Sequence, residues 1–191
     1  MKKILILGAF GFLITPLHAE DYKIPKTNSL FSISFPDNWS VTHESESVDA
    51  VTDDNTIQLN AQLDDAETLE KSIEESITYL IEAGVNIDAD SKKEGDDEIN
   101  GLKVGMVKWD AKDEDGECNV SLSFIDIGGD KVITLLYWGS EAASEKHGKA
   151  LMGILKSMKA LKPLNSEKTE EAQDETEDEA EDETKDETED E

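Results

Sequence analysis

The chain has 191 residues, 34% of them charged, with 46 acidic against 18 basic side chains and a formal net charge of −28. That balance excludes nucleic-acid binding by phosphate neutralisation, which needs clustered Lys and Arg, and it disfavours anionic membrane surfaces. Every basic residue is lysine, so a site for phosphate or carboxylate would lack the bidentate guanidinium fork.

Lys2 and Lys3 precede an uncharged, mostly apolar run, Ile4 to Ile14, and then Pro16-Leu17-His18-Ala19. This is the pattern of a secretory signal with cleavage after Ala19, and the run is too short to span a bilayer. The expected location is therefore exported, periplasmic or secreted, and not membrane-spanning. The expected division is a signal at residues 1–19, one domain at 20–164 and a tail at 165–191.

Residues 20–29 read as a polar lead-in. Leu30 to Phe35 alternates apolar and polar, which predicts a strand, and Pro36-Asp37-Asn38 predicts a turn anchored by Trp39. A weaker strand is expected over Ser40–Val48, a turn at Asp53-Asp54-Asn55, and a well-patterned strand over Thr56–Leu63. The period then changes: Leu69, Ile73, Ile77, Leu80 and Ile81 recur at helical spacing, with Asp64 as the expected cap and Gly84 as the stop. Residues 85–100 are acidic and poorly patterned, with at most a short strand at Val85–Ile87. Strands are expected at Leu102–Asp110, Cys118–Ile127 and Val132–Trp138, joined by turns at Asp115-Gly116 and Gly128-Gly129. A last helix is capped by Ser140, carries Ala150, Leu151, Ile154, Leu155, Met158 and Leu161 on its apolar face, and stops at Pro163. Strands joined by hairpins, with two helices, predict a mostly antiparallel sheet with helices packed on it, an α+β fold.

From Asn165 the chain holds sixteen carboxylates and two lysines, and from Asp174 it follows a near four-residue repeat. Like charges at i,i+4 repel on a helix, and no apolar face is available. The segment reads as a disordered, low-complexity, solubilising tail. A sharper reading makes it a weak Ca²⁺ or basic-partner sponge, since flexible carboxylates give no convergent site.

Candidate chemistry is sparse. Cys118 is the single cysteine and is expected either buried in a strand or paired with another chain. His43 lies beside Glu44 and Glu46, a set that can bind metal, yet strand alternation sends neighbours to opposite faces, so an exposed edge strand is the simpler reading. His147 is expected to pack at the boundary of the last helix. Asp113-Glu114-Asp115-Gly116 matches only the middle of a Ca²⁺ loop, with Ala111 and Leu122 at ligand positions, and reads as a hairpin turn. Asp88 and Asp90 lack the glycine spacing of such a loop. The sequence carries no G-x-S-x-G elbow and no Gly-rich phosphate loop. No catalytic, cofactor or metal residue is therefore assigned. The neutral outward positions Ser32, Ser34, Gln58, Asn60, Gln62, Ser121 and Ser123 predict a sheet face covered by the domain's own elements, with a partner surface as the alternative.

Phe31-Ser-Ile-Ser-Phe-Pro-Asp-Asn-Trp39, Thr56-Ile-Gln-Leu-Asn-Ala-Gln-Leu63 with the first helix, Ile99-Asn-Gly-Leu-Lys-Val-Gly-Met-Val-Lys-Trp109, two closing strands and Ile154-Leu-Lys-Ser-Met-Lys-Ala-Leu161 together resemble the PsbP-like family. That family includes the DcrB-like exported bacterial proteins. The resemblance covers about Ser29 to Lys162 and leaves out the acidic tail. It implies an α/β/α sandwich around a central antiparallel sheet. It also implies a binding or assembly role, since the family has no common catalytic signature and some members are accessory subunits of large complexes. The expected function is an exported non-enzymatic module with a protein partner. The alternatives are a secreted hydrolase or metal-dependent enzyme with an unrecognised site, and cation binding through the tail.

Overall fold

The computed structural model describes residues 18–161. The signal at 1–19, all but its last two residues, and the tail at 165–191 lie outside the described residues. Eleven strands and two α-helices follow in chain order: β1 (Ala19–Ile24), β2 (Phe31–Pro36), β3 (Ser40–His43), β4 (Ser47–Val51), β5 (Ile57–Asp65), α1 (Leu69–Glu82), β6 (Asn86–Ile87), β7 (Lys93–Ile99), β8 (Leu102–Asp113), β9 (Gly116–Gly128), β10 (Lys131–Gly139), α2 (Glu141–Ser157) and β11 (Lys159–Ala160).

Eight strands form the central sheet in the order β3-β4-β5-β10-β9-β8-β6, with β7 also on β8; a small sheet has the order β1-β2-β11. Every pairing is antiparallel. The helices lie on opposite faces of the central sheet. Ile57, Leu59 and Ala61 of β5 and Ile133 and Leu135 of β10 share one core with α2 (Ala143, Ile154) and with Phe31, Ile33 and Phe35 of β2. Trp109, Ala111, Cys118, Val120, Leu122 and Leu136 share the other with Leu80 of α1. The period-2 pattern thus sends alternate residues of β10 into two cores, which makes its sequence almost continuously apolar. The three side chains of β2 are fully buried, each contributing about 1.5–3 kcal/mol of apolar burial. This is the α+β architecture expected from the sequence, with α1 in one outer layer and α2 plus the small sheet in the other.

Several boundaries differ. The lead-in expected over 20–29 contains β1, whose partner is β2. The single weak strand expected over 40–48 is a hairpin, β3 and β4, with His43 opposite Val48. Asp64 does not cap α1: it is the penultimate residue of β5, where its carboxylate accepts from the Ser72 hydroxyl at 2.8 Å and the Gln62 amide at 3.1 Å. A 3₁₀ turn, Ala66–Thr68, intervenes before the helix. The acidic stretch 85–100 contains β7, polar along almost its full length and held by its ladder to β8. Helix α2 ends at Ser157, before Pro163 could act, because Met158 takes an extended conformation and leads into β11. The Ser140 cap is present, its hydroxyl accepting from the Ala143 N–H at 3.1 Å.

Of the neutral β5 positions, Gln58 meets α1 directly, and Asn60 and Gln62 bond to carboxylates of the sheet itself. Gln58 donates to the Tyr79 hydroxyl of α1 at 2.6 Å, Asn60 to Asp49 at 2.8 Å, and Gln62 to Asp64. Ser32 is buried, and the Ser34 N–H donates to the Ser157 hydroxyl of α2 at 2.8 Å.

Candidate functional site

The turn between β4 and β5 is built by local side-chain bonds. The Thr52 hydroxyl oxygen accepts from the N–H groups of Thr56 and Ile57, both at 3.0 Å. Asp54 accepts from the Thr56 hydroxyl at 2.6 Å through one oxygen. Its other oxygen faces α2, accepting from the Lys146 ammonium at 2.5 Å and from His147 Nε2–H at 3.1 Å. Lys146 beside it, with help from Thr56 and Thr52, holds the Asp54 carboxyl far below the ordinary carboxylate range. The His147 ring stands edge-on to Trp39, 6.3 Å between centroids, and its side chain is only 12% exposed. His147 is thus the boundary residue the helix pattern predicts, but it is also bonded to a turn 93 residues away.

Asp53, Asp54 and His147 each place one potential ligand atom within 4.8 Å of the others. Two carboxylates and an imidazole are a donor set suited to a divalent ion such as Zn²⁺. Lys146 competes for the same oxygen, and without an ion the group ties α2 to the β4–β5 turn. Sequence reasoning assigned Asp53 and Asp54 to a turn and His147 to packing; no local spacing connects them.

The other candidates separate. His43 lies on the edge strand expected for it, but its ring is engaged: Nε2–H donates to the Lys23 carbonyl at 3.0 Å and the ring packs edge-on against Tyr22. Glu44 and Glu46 are exposed in the β3–β4 turn. Asp113 spends one oxygen on the N–H groups of Asp115 and Gly116 and the other on the Trp138 indole, so the tight turn is a hairpin. Asp88 accepts from the Asp90 N–H in a 3₁₀ turn. Cys118 is buried, and burial, followed by the Asp113 charge, pushes its thiol up to about 11. Such a thiol is a poor nucleophile and is shielded from pairing with another chain.

The end of the sheet near β6 gathers acidic residues that no local spacing in the sequence connects. A cleft of about 690 Å³ is bordered by Asp88, Asp90, Asp110, Glu117 and Glu141, with Lys112 as its one basic side chain. Beside it Ile77, Ile81, Val85, Ile87 and Trp109 line an apolar slot of about 560 Å³. A third recess of about 430 Å³ holds Glu114, Asp115 and Trp138. The first cleft depends on β6, which lies at the short strand allowed for Val85–Ile87, and on the turn after it.

No helix of the described residues is long and apolar enough to cross a membrane. No family model matches the sequence, and no curated protein is significantly similar to it. Solved structures do match. The solution structure of cyanobacterial PsbP (CyanoP) from Synechocystis sp. PCC 6803 aligns with a TM-score of 0.51 at 10% identity, over 81% of this chain and 98% of that one. A crystal structure from Bacteroides thetaiotaomicron VPI-5482 aligns with a TM-score of 0.50 at 14% identity, over 75% of this chain but only 48% of that chain. LpqN, involved in cell envelope biogenesis of Mycobacterium tuberculosis, aligns with a TM-score of 0.49 at 13% identity, over 75% of this chain and 91% of that one. The chain has a PsbP-like fold.

Proposed function

We propose that this PsbP-like chain is an exported, non-enzymatic binding or assembly module whose partner is a protein presenting positive charge. The observation that carries the reading is the acidic cleft at the end of the central sheet, bordered by five carboxylates and one lysine. An open anionic surface favours and steers cationic partners. The cysteine and two of the histidines are engaged elsewhere: Cys118 is buried with a raised thiol pKa, His147 is bonded to Asp54, and His43 to a backbone carbonyl. Export rests on the signal pattern of residues 1–19. The sixteen carboxylates of residues 165–191 add weak, salt-sensitive binding of Ca²⁺ or basic segments.

In-cell cross-linking of the full chain tests this. The expected result is a chain beginning at Glu20 in the exported fraction, cross-linked to one protein in near-stoichiometric amount. A chain that keeps Met1 in the cytosol, or that cross-links to nothing, overturns it. The second reading, a metal-dependent enzyme, draws on Asp53, Asp54 and His147. Co²⁺ titration decides between them: an absorption band that disappears in His147→Ala, together with metal-dependent turnover, favours the enzyme.

A further inference from the structure

Strand β6 ends the central sheet, and the acidic cleft and the apolar slot meet along it, sharing Asn86, Ile87 and Ala89. They open toward different layers. On β8, Trp109 and Ala111 point into the core shared with α1, so Asp110 and Lys112 between and beyond them point to the α2 side. The slot belongs to the α1 side, with Ile77 and Ile81 on its wall and Trp109, 7% exposed, on its floor. Ile81 is 60% exposed and borders the same slot as the buried Trp109, Val85 and Ile87. The cleft belongs mostly to the α2 side, where Glu117 and Asn119 of β9 line it with Glu141 at the start of α2. Lys93 and Lys112 sit at 3.8 and 3.6 Å from Asp110 and Glu117; Asp90 and Glu141 have no ion-pair partner among the described residues.

We infer that this border of the sheet binds an extended segment of a partner protein in which basic and apolar side chains alternate. A chain in extended conformation sends successive side chains to opposite sides. Laid along β6, it places its apolar residues in the slot against Ile81 and Trp109 and its basic residues in the cleft among Asp90, Glu117 and Glu141. Sheet borders are recurrent docking sites for extended segments, with side pockets supplying the specificity. The charge of the cleft selects the sign of the polar residues, and the slot selects against a merely polycationic chain. This rests on the module reading above and names its surface.

The test uses the full-length ¹⁵N-labelled chain and the acetylated, amidated pentapeptide KLKLK, with KSKSK and KKKLL as comparison probes. Three indole N–H signals report position, those of Trp39, Trp109 and Trp138. The expected result is a shift of the Trp109 indole on adding KLKLK, with binding about tenfold weaker for KSKSK. KKKLL is expected to bind more weakly than KLKLK at the same composition. Ile81→Ser and the pair Asp90→Asn with Glu117→Gln should each weaken KLKLK several-fold. All three positions are exposed, so thermal midpoints should stay within a few degrees of the parent. Shifts confined to residues 165–191 with an unmoved Trp109, or equal affinity for KLKLK and KSKSK, overturn the inference. In the cross-linking experiment, a partner retained by a variant combining Ile81→Ser, Asp90→Asn and Glu117→Gln overturns this surface while leaving the module reading intact.

Discussion

The Asn100 side-chain amide donates to the carbonyls of Leu155 and Lys156 at 3.2 Å and of Met158 at 2.9 Å, so one hairpin residue closes the exposed end of α2. With Gly101 it forms a turn in which both residues have positive φ, 54° and 80°. Asn100→Gly keeps the turn and removes the bonds to α2, and should cost about 1–3 kcal/mol in denaturant unfolding, the penalty for stranded acceptors. The Asn-Gly pair is among the strongest short hairpin signals in a sequence. It marks the strand before it, β7, which alternation could not reveal because its outward and inward residues are equally polar. At Asp54 the depressed carboxyl contributes stability that is present above its ordinary value of 3.8 and is lost as pH falls toward the folded value. Asp54→Asn should therefore lower the thermal midpoint at pH 7, modestly because the pair is partly solvated, and the gap should begin to narrow below about pH 4 and go on shrinking as the pH falls further. Cys118 should resist a thiol reagent at pH 8 in the native chain and react on unfolding, since both burial and its raised pKa oppose thiolate formation.

Elements with an apolar face or an apolar run, such as β5, α1 and β10, were legible in sequence, and those polar along most of their length were not. β5 alternates cleanly because α2 and the small sheet bury Ile57, Leu59 and Ala61 while α1 covers only hydrogen-bonded amides. α1 shows its helical period because its apolar stripe meets a sheet on one side alone. β1 was missed because its pairing partner, β2, supplies most of the burial; only Ile24 of β1 is itself fully buried. The candidate site was less legible still, since Asp54 and His147 meet only through the packing of α2 on the sheet. Within α2, Ile154 is 2% exposed and packs in the larger core, so Ile154→Ala should cost about 2–5 kcal/mol in chemical denaturation. Met152 on the same helix is 51% exposed, and Met152→Ala should leave stability nearly unchanged.

At the scale of the molecule, the apolar burial lies in two cores on either side of one antiparallel sheet, and residues 165–191 have no aliphatic stripe to add to either. Truncation after Leu164 should leave the thermal midpoint within a few degrees, measured by calorimetry. The order β1-β2-β11 has a further effect on how the chain reaches this state. Ala160 at the far end pairs with Phe31 near the beginning, so the small sheet closes only over a loop of more than a hundred residues. Non-local closures of this kind slow folding, because the entropy of bringing distant segments together is spent before their contacts form. Synthesis and any threading through a pore proceed from the N-terminus. The border of β2 that receives β11 therefore stays unpaired, beside the fully buried Phe31, Ile33 and Phe35 of the finished protein, until residue 160 has emerged. A chain in which residue 160 has not yet emerged keeps an open strand edge available to chaperones, and β11 withdraws it.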